Sequence, residues 1–176
     1  MNESLFSLDP YIIRIPDFPR ASITFYDRSP ALEDDHAFAQ ITVTFCIKAY
    51  AYETDLLVGI DERGFLFGAA AAVPLGFGLV MVRKTGKQPS EAVETSYSPK
   101  YCEALLALQT ARNMSGKRIL LCDDLLATGG THSATAELIH KVDGVVCGAI
   151  CPVELTGLKG RDKLFFPVSV LQSYEC

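Results

Sequence analysis

The sequence predicts an α/β fold, a central and mostly parallel sheet flanked by helices. Three observations predict it. Short, largely apolar runs recur at 56–60, 79–82, 119–122 and 145–153, the pattern of strands buried on both faces. Helix-compatible stretches separate several of these runs, so right-handed crossovers join parallel neighbours. Asp61, Arg83 and Asp123 follow three of the runs, at the strand ends where open α/β sheets bind ligands.

Taken in chain order, 31–53 holds Phe38, Ile41, Phe45 and Ala49 at helical spacing, begun by Asp34 or Asp35. Ile41-Thr42-Val43-Thr44 within it has strand chemistry, because β-branched residues lose rotamer freedom in a helix. Helix is the expectation. The strand at 56–60 is followed by a helix at 65–73, stopped near Pro74 and Gly76. After the strand at 79–82, residues 85–107 are polar and carry Pro89 and Pro99, a long insertion suited to a lid. The third strand leads into a helix at 131–142 with Ala134, Leu138, Ile139 and Val142 on one face, ending at Asp143-Gly144 before the fourth strand.

A chain of 176 residues with 49% apolar content supports one domain, 1–176, with a sizeable core. No run approaches the roughly 18 apolar residues of a membrane span, and Met-Asn-Glu-Ser lacks the basic, then apolar, pattern of a signal peptide. A cytoplasmic setting is expected, with the six cysteines reduced, since they form no C-x-x-C pair and have no histidines at zinc spacing. Cys147 and Cys151 are expected on one strand face, in the core. A net charge of −5 argues against a nucleic-acid surface. Arg63, Arg83, Lys84 and Lys87 nevertheless form local basic groups, either a solvated face or the contacts of a small polyanion.

The run from Ile119 to Thr131 is the most specific feature. It reads as an apolar strand, the doublet Asp123-Asp124, a small-residue loop and a helix start. Clustered N–H groups and hydroxyls at such a start suit a phosphate. Two carboxylates beside a phosphate need other partners, either sugar hydroxyls or a divalent metal held through water. Phosphate, diol and metal together describe a phosphorylated sugar. A P-loop would need Gly-Lys-Ser/Thr, whereas His132 follows here; a dinucleotide fold would place its acid well after the glycines.

The string resembles the phosphoribosyl-diphosphate (PRPP) signature of the type I phosphoribosyltransferases, and within them the branch that acts on adenine. Further segments fall in that family's order: Asp17-Phe18-Pro19, Phe25-Tyr26-Asp27-Arg28-Ser29-Pro30, Gly59-Ile60-Asp61-Glu62-Arg63-Gly64-Phe65, Val82-Arg83-Lys84-Thr85-Gly86-Lys87, Ser96-Tyr97-Ser98 and Leu158-Lys159-Gly160-Arg161. The resemblance implies the type I phosphoribosyltransferase fold with an N-terminal hood at about 1–35 and a flexible lid at about 85–107. It implies Mg²⁺-dependent transfer of phosphoribosyl from PRPP to adenine, giving AMP and pyrophosphate, by a homodimer.

By the same resemblance, Ala127, Thr128, Gly129, Gly130 and Thr131 cradle the 5′-phosphate. Asp123 and Asp124 take the ribose hydroxyls or the metal, and Arg63, Arg83, Lys84 and Lys87 take the pyrophosphate. The base lies between Phe25 and Leu155, its edge read by backbone groups of Thr24 and Tyr26; on the residues alone, Phe25 is equally an ordinary core aromatic. Glu62 stands where a small residue is usual, and Tyr26 where arginine is usual. In the lid, Lys100 replaces the Glu of the family's Ser-Tyr-x-x-Glu-Tyr and becomes the candidate proton-transfer group, with Tyr101 as a lid contact. Three readings therefore stand: transfer to adenine, transfer to another purine-like base, or a PRPP-binding regulator with weak catalysis. His36, His132 and His140 receive no catalytic role, and His132 is expected at the surface. Met81 and Met114 are expected to pack.

Overall fold

A computed structural model describes residues 6–85, 92–96, 105–109 and 113–175. A short hairpin comes first, β1 (Ile13–Ile15) against β2 (Phe25–Asp27), followed by α1 (Ser29–Glu33) and α2 (Asp35–Ala51). The remaining order is β3 (Leu56–Ile60), α3 (Gly64–Leu75), β4 (Gly78–Lys84), β5 (Ala92–Ser96), β6 (Leu105–Gln109), β7 (Arg118–Cys122), β8 (Leu125–Leu126), α4 (Gly130–His140), β9 (Val145–Leu155) and β10 (Val168–Tyr174). The main sheet runs β10-β9-β7-β3-β4-β6-β5, with β8 on β9. Pairs from β10 to β4 are parallel, while β6 is antiparallel to both β4 and β5.

Alternation along the strands divides the interior into two cores. Leu57, Leu120 and Ile150 meet Ile41, Phe45 and Phe67 of α2 and α3. Val58, Ile60, Val80, Ile119 and Leu121 meet Ala134, Leu138 and Ile139 of α4. Both faces of the sheet are covered, which is why its central strands read as unbroken apolar runs.

α2 starts where the Asp34 side chain accepts from the Ala37 N–H at 2.8 Å, and Ala37, Ile41, Phe45 and Ala49 form its buried stripe. Thr42 and Thr44 are accommodated because their hydroxyls donate back to the Phe38 and Gln40 carbonyls. α3 continues through Pro74 and ends at Gly76, whose left-handed φ of 66° suits glycine. Proline in the last turn therefore does not stop this helix; the glycine does.

Within the insertion at 85–107, β5 and the start of β6 extend the sheet, and β5 rests on α4: Thr95 donates to Glu137 at 2.9 Å, and Lys141 donates to the Glu94 carbonyl at 2.7 Å. The rest of the expected lid, with Lys87, Lys100 and Tyr101, lies outside the described residues. Cys147 and Cys151 are not on one face. The β7–β9 register shifts at Ile119/Leu120, so that Ile119 pairs with Val146 but Leu120 with Gly148. The extra residue turns Cys147 toward Thr54 and the α2 side, while Cys151 meets His132 of α4. Met114 packs as expected, but Met81 on β4 is 44% exposed.

β10 went unpredicted because Ser169, Gln172 and Ser173 interrupt its pattern, as an edge strand allows. It carries the link to the N-terminal segment. Tyr174 stacks on Tyr26 with ring centroids 4.7 Å apart and donates its hydroxyl to Asp9 at 2.9 Å.

Candidate functional site

Three loops converge at the carboxyl ends of β3, β4 and β7. After β3, the chain turns through Asp61, Glu62 and Arg63 into α3, with a cis peptide between Asp61 and Glu62. Gly64 presses against the end of β7, where a Cβ would come within 2.3 Å of the Cys122 carbonyl oxygen. Only glycine permits that approach, and it brings Arg63 beside the acidic doublet. Arg63 donates to Asp124 Oδ2 at 3.3 Å. From β4, the Lys84 N–H donates to Asp61 Oδ2 at 3.3 Å, and Arg83 lies over the Phe65 ring at 5.9 Å.

The two acids differ sharply. Asp123 is buried, accepts the Asp124 N–H at 2.8 Å, and lies 3.7 Å from His132 Nε2. Burial first, and the Asp124 charge second, push its carboxyl well above the usual range. Asp124 is partly open and is held by two guanidinium groups. Arg28 reaches its Oδ2 with Nε at 2.9 Å and Nη2 at 2.7 Å, in addition to the looser contact from Arg63.

His132 is not at the surface. It is the third residue of α4 and 2% exposed, because that first turn faces the sheet rather than solvent. Burial lowers its pKa from 6.5 to about 4. The ring is thus neutral near pH 7 and forms no ion pair with Asp123. Its Nε2 is 3.3 Å from Cys151 Sγ, and burial holds that thiol well above its ordinary pKa.

Between the doublet and α4, the loop 127–129 leans on a second turn. Gly129 has φ of 73° and caps α4. Its Cβ, if present, would stand 2.3 Å from the Gly160 carbonyl, and one on Gly160 would stand 2.2 Å from the Ala127 carbonyl. Gly160 is itself fixed by its neighbour Arg161, which grips the buried Glu154 carboxylate with Nε and Nη2, both at 2.7 Å. The Lys-Gly-Arg block therefore supports the loop from behind. The start of α4, the glycine bend before it and the neighbouring hydroxyls of Thr128 and Thr131 have the make-up that suits an anion, since the first N–H groups of a helix have no partner within it.

On the hood side, Thr24 is exposed and Phe25 half-buried, edge-on to Phe18 at 5.4 Å. Tyr26 is buried with its ring on Tyr174, and its carbonyl accepts Arg28 Nη1 at 2.5 Å. Leu155 ends β9, partly buried against the α2-side core. The structure thus joins Arg63 to Asp124 and supports the loop 127–131. It also brings to the doublet two residues to which the sequence assigned no site role, Arg28 and His132. The signal for Arg28 was a lone arginine beside an aromatic-acid segment, which is too common to identify a buried partner.

Comparison with known proteins agrees with this geometry. The phosphoribosyl transferase domain family matches residues 30–171. An adenine phosphoribosyltransferase of Gluconobacter oxydans is 41% identical over 96% of this chain and 94% of its own. One of Rhodospirillum rubrum is 42% identical over 96% and 99%. The crystal structure of the Thermoanaerobacter pseudethanolicus enzyme superposes with a TM-score of 0.90 at 38% identity, covering 95% of this chain and 98% of that one. The Saccharomyces cerevisiae enzyme, complexed with an imino-altritol bisphosphate and adenine, gives 0.89 at 34% identity, covering 94% and 96%. The chain belongs to the phosphoribosyltransferase family, in its adenine branch.

Proposed function

We propose that this protein transfers the phosphoribosyl group of PRPP to adenine, forming AMP and pyrophosphate in purine salvage. The observation that carries this reading is the contact of Arg63 with Asp124 at the mouth of the loop 127–131. It brings a guanidinium and a carboxylate together just before the small-residue loop, which supports a site for pyrophosphate, ribose diol and 5′-phosphate.

In the reaction the C1′–O bond to pyrophosphate breaks, the C1′–N bond to the base forms, and the base gives up its N–H proton. Positive charge grows on the ribose and negative charge on the leaving group. Ala127, Thr128, Gly129, Gly130 and Thr131 anchor the phosphate; Arg63, Arg83, Lys84 and Lys87 draw the pyrophosphate; Asp124 orients the hydroxyls. Phe25 and Leu155 flank the base, and backbone groups of Thr24 and Tyr26 read its edge. Lys100 is the candidate proton-transfer group and Tyr101 a further contact, on the strength of the family resemblance alone.

Magnesium suits this donor set as a companion of the substrate. No group of three His, Cys, Asp or Glu at metal spacing occurs among the described residues, and Mg²⁺ commonly binds one or two carboxylates plus phosphate oxygens. Asp123 and Asp124 would hold it, and when bound it offsets charge on the pyrophosphate.

A homodimer fits the apolar surface of α2 and α3, where Val43, Ile47 and Tyr50 line a groove of about 640 Å³ and Val73 is exposed. No helix of the described residues is long and apolar enough to cross a membrane, and the described cysteines are free, as in a cytoplasmic protein.

Lys100, at the place of a proton-transferring Glu, favours a second reading in which PRPP binds but turnover is slow or directed at another base. Incubation with Mg²⁺, PRPP and a panel of purines decides. AMP from adenine supports the proposal; product from another base redirects it; PRPP binding with every base inert supports a regulator.

A further inference from the structure

Arg28 is a buried guanidinium that joins two parts of the site. Its Nε and Nη2 hold Asp124 Oδ2 at 2.9 and 2.7 Å, its Nη1 donates to the Tyr26 carbonyl, and its Cζ lies 5.8 Å from the Phe25 ring centroid. Arg63 approaches the same oxygen from outside, at 3.3 Å. The Arg28 side chain is 6% exposed and that of Arg63 49%. Both arginines meet Asp124 through Oδ2, and neither contacts Oδ1.

A buried ion pair adds little net stability compared with apolar packing of the same volume, so its retention at a ligand site invites a functional account. Desolvation makes the cost of stranding one partner large. If Arg63 leaves Asp124 to meet an incoming anion, Arg28 keeps that carboxylate paired and oriented. The forked, planar guanidinium can hold the carboxylate and the Tyr26 carbonyl together, whereas an ammonium is a single point of charge.

We propose that Arg28 is a positioning residue that fixes Asp124 through Oδ2 and presents Oδ1 to the ribose hydroxyls, tying the sugar acid to the base-side strand β2, while Arg63 is the exchangeable partner released to pyrophosphate. The proposal rests on the phosphoribosyltransferase reading above and deepens it.

The test is calorimetric titration of the full chain, its Arg28→Lys and Arg28→Gln variants, and Arg63→Ala, with ribose 5-phosphate and with magnesium pyrophosphate as separate probes, followed by KM and kcat for PRPP and adenine. Thermal melts establish folding. The Arg28 variants should lose about tenfold or more in ribose 5-phosphate affinity and raise KM for both substrates, with Arg28→Lys recovering only part of the loss. Arg63→Ala should lose about tenfold in pyrophosphate affinity yet keep ribose 5-phosphate affinity within about twofold. A general structural role would not produce that crossed pattern. Folded Arg28 variants with unchanged ribose 5-phosphate affinity overturn the proposal. So does an Arg63→Ala variant that loses ribose 5-phosphate, an arm that decides even if neither Arg28 variant folds. An unmodified protein that binds neither probe nor PRPP refutes the functional reading itself.

Discussion

Gly129 and Gly160 meet backbone against backbone, so closely that a Cβ on Gly129 would stand 2.3 Å from the Gly160 carbonyl oxygen. One glycine belongs to the loop 127–131 and the other to the turn after β9. Their contact explains why two sequence blocks 31 positions apart act as one support.

Gly129→Ala should therefore be damaging on two counts, a left-handed φ and a backbone collision. Together these should cost about 2–4 kcal/mol, because the neighbour is backbone and cannot swing aside. Denaturant melts check the stability, and ribose 5-phosphate binding should weaken in parallel. An alanine variant with unaltered midpoint and affinity would contradict the close packing.

Arg161→Ala should remove the paired contacts to the Glu154 carboxylate, which is nearly buried. Arg161 itself is 44% exposed, so water partly compensates and the loss should be about 2 kcal/mol. Since Arg161 also fixes Gly160, phosphate affinity should fall more than stability alone accounts for. Arg161→Lys should restore part of both. Equal behaviour of the two variants would count against the fork geometry.

His132 gives a signed pH dependence. Its folded pKa of about 4 lies below its unfolded value near 6.5, so the unfolded chain binds more protons between these values. The contribution to stability is intact above pH 6.5 and is lost as pH falls toward 4. Asp123, with a raised folded pKa, acts in the opposite sense, so the comparison must be with His132→Met, which leaves Asp123 in place. Stability of the unmodified protein relative to that variant should decline from pH 7 to pH 4, by up to about 3 kcal/mol. A constant difference across the range would mean the imidazole is not held neutral.

Lys100→Glu tests the lid. A lysine with an ordinary pKa of about 10.4 is poorly matched to proton transfer near neutrality, and general acid–base help is typically worth about 10²–10⁴ in rate. The substitution should raise kcat for AMP formation several-fold or more with little change in PRPP affinity. No gain in single-turnover rate would show that Lys100 does not limit the chemistry.

The fold class, the central strands and the run from Ile119 to Thr131 were all legible in the chain. Each is written in local order: strands covered on both faces read as apolar runs, and small residues between a strand and a helix start mark a tight loop. Position at the strand ends then follows from topology. Tertiary structure alone decided that Arg28 holds Asp124, 96 residues away, that His132 faces inward to Cys151, and that one extra residue in β9 turns Cys147 from Cys151. It also decided that the polar-interrupted stretch 168–174 completes the sheet edge. These are contacts between distant segments. Their energies depend on burial and partner geometry, which residue order does not encode locally.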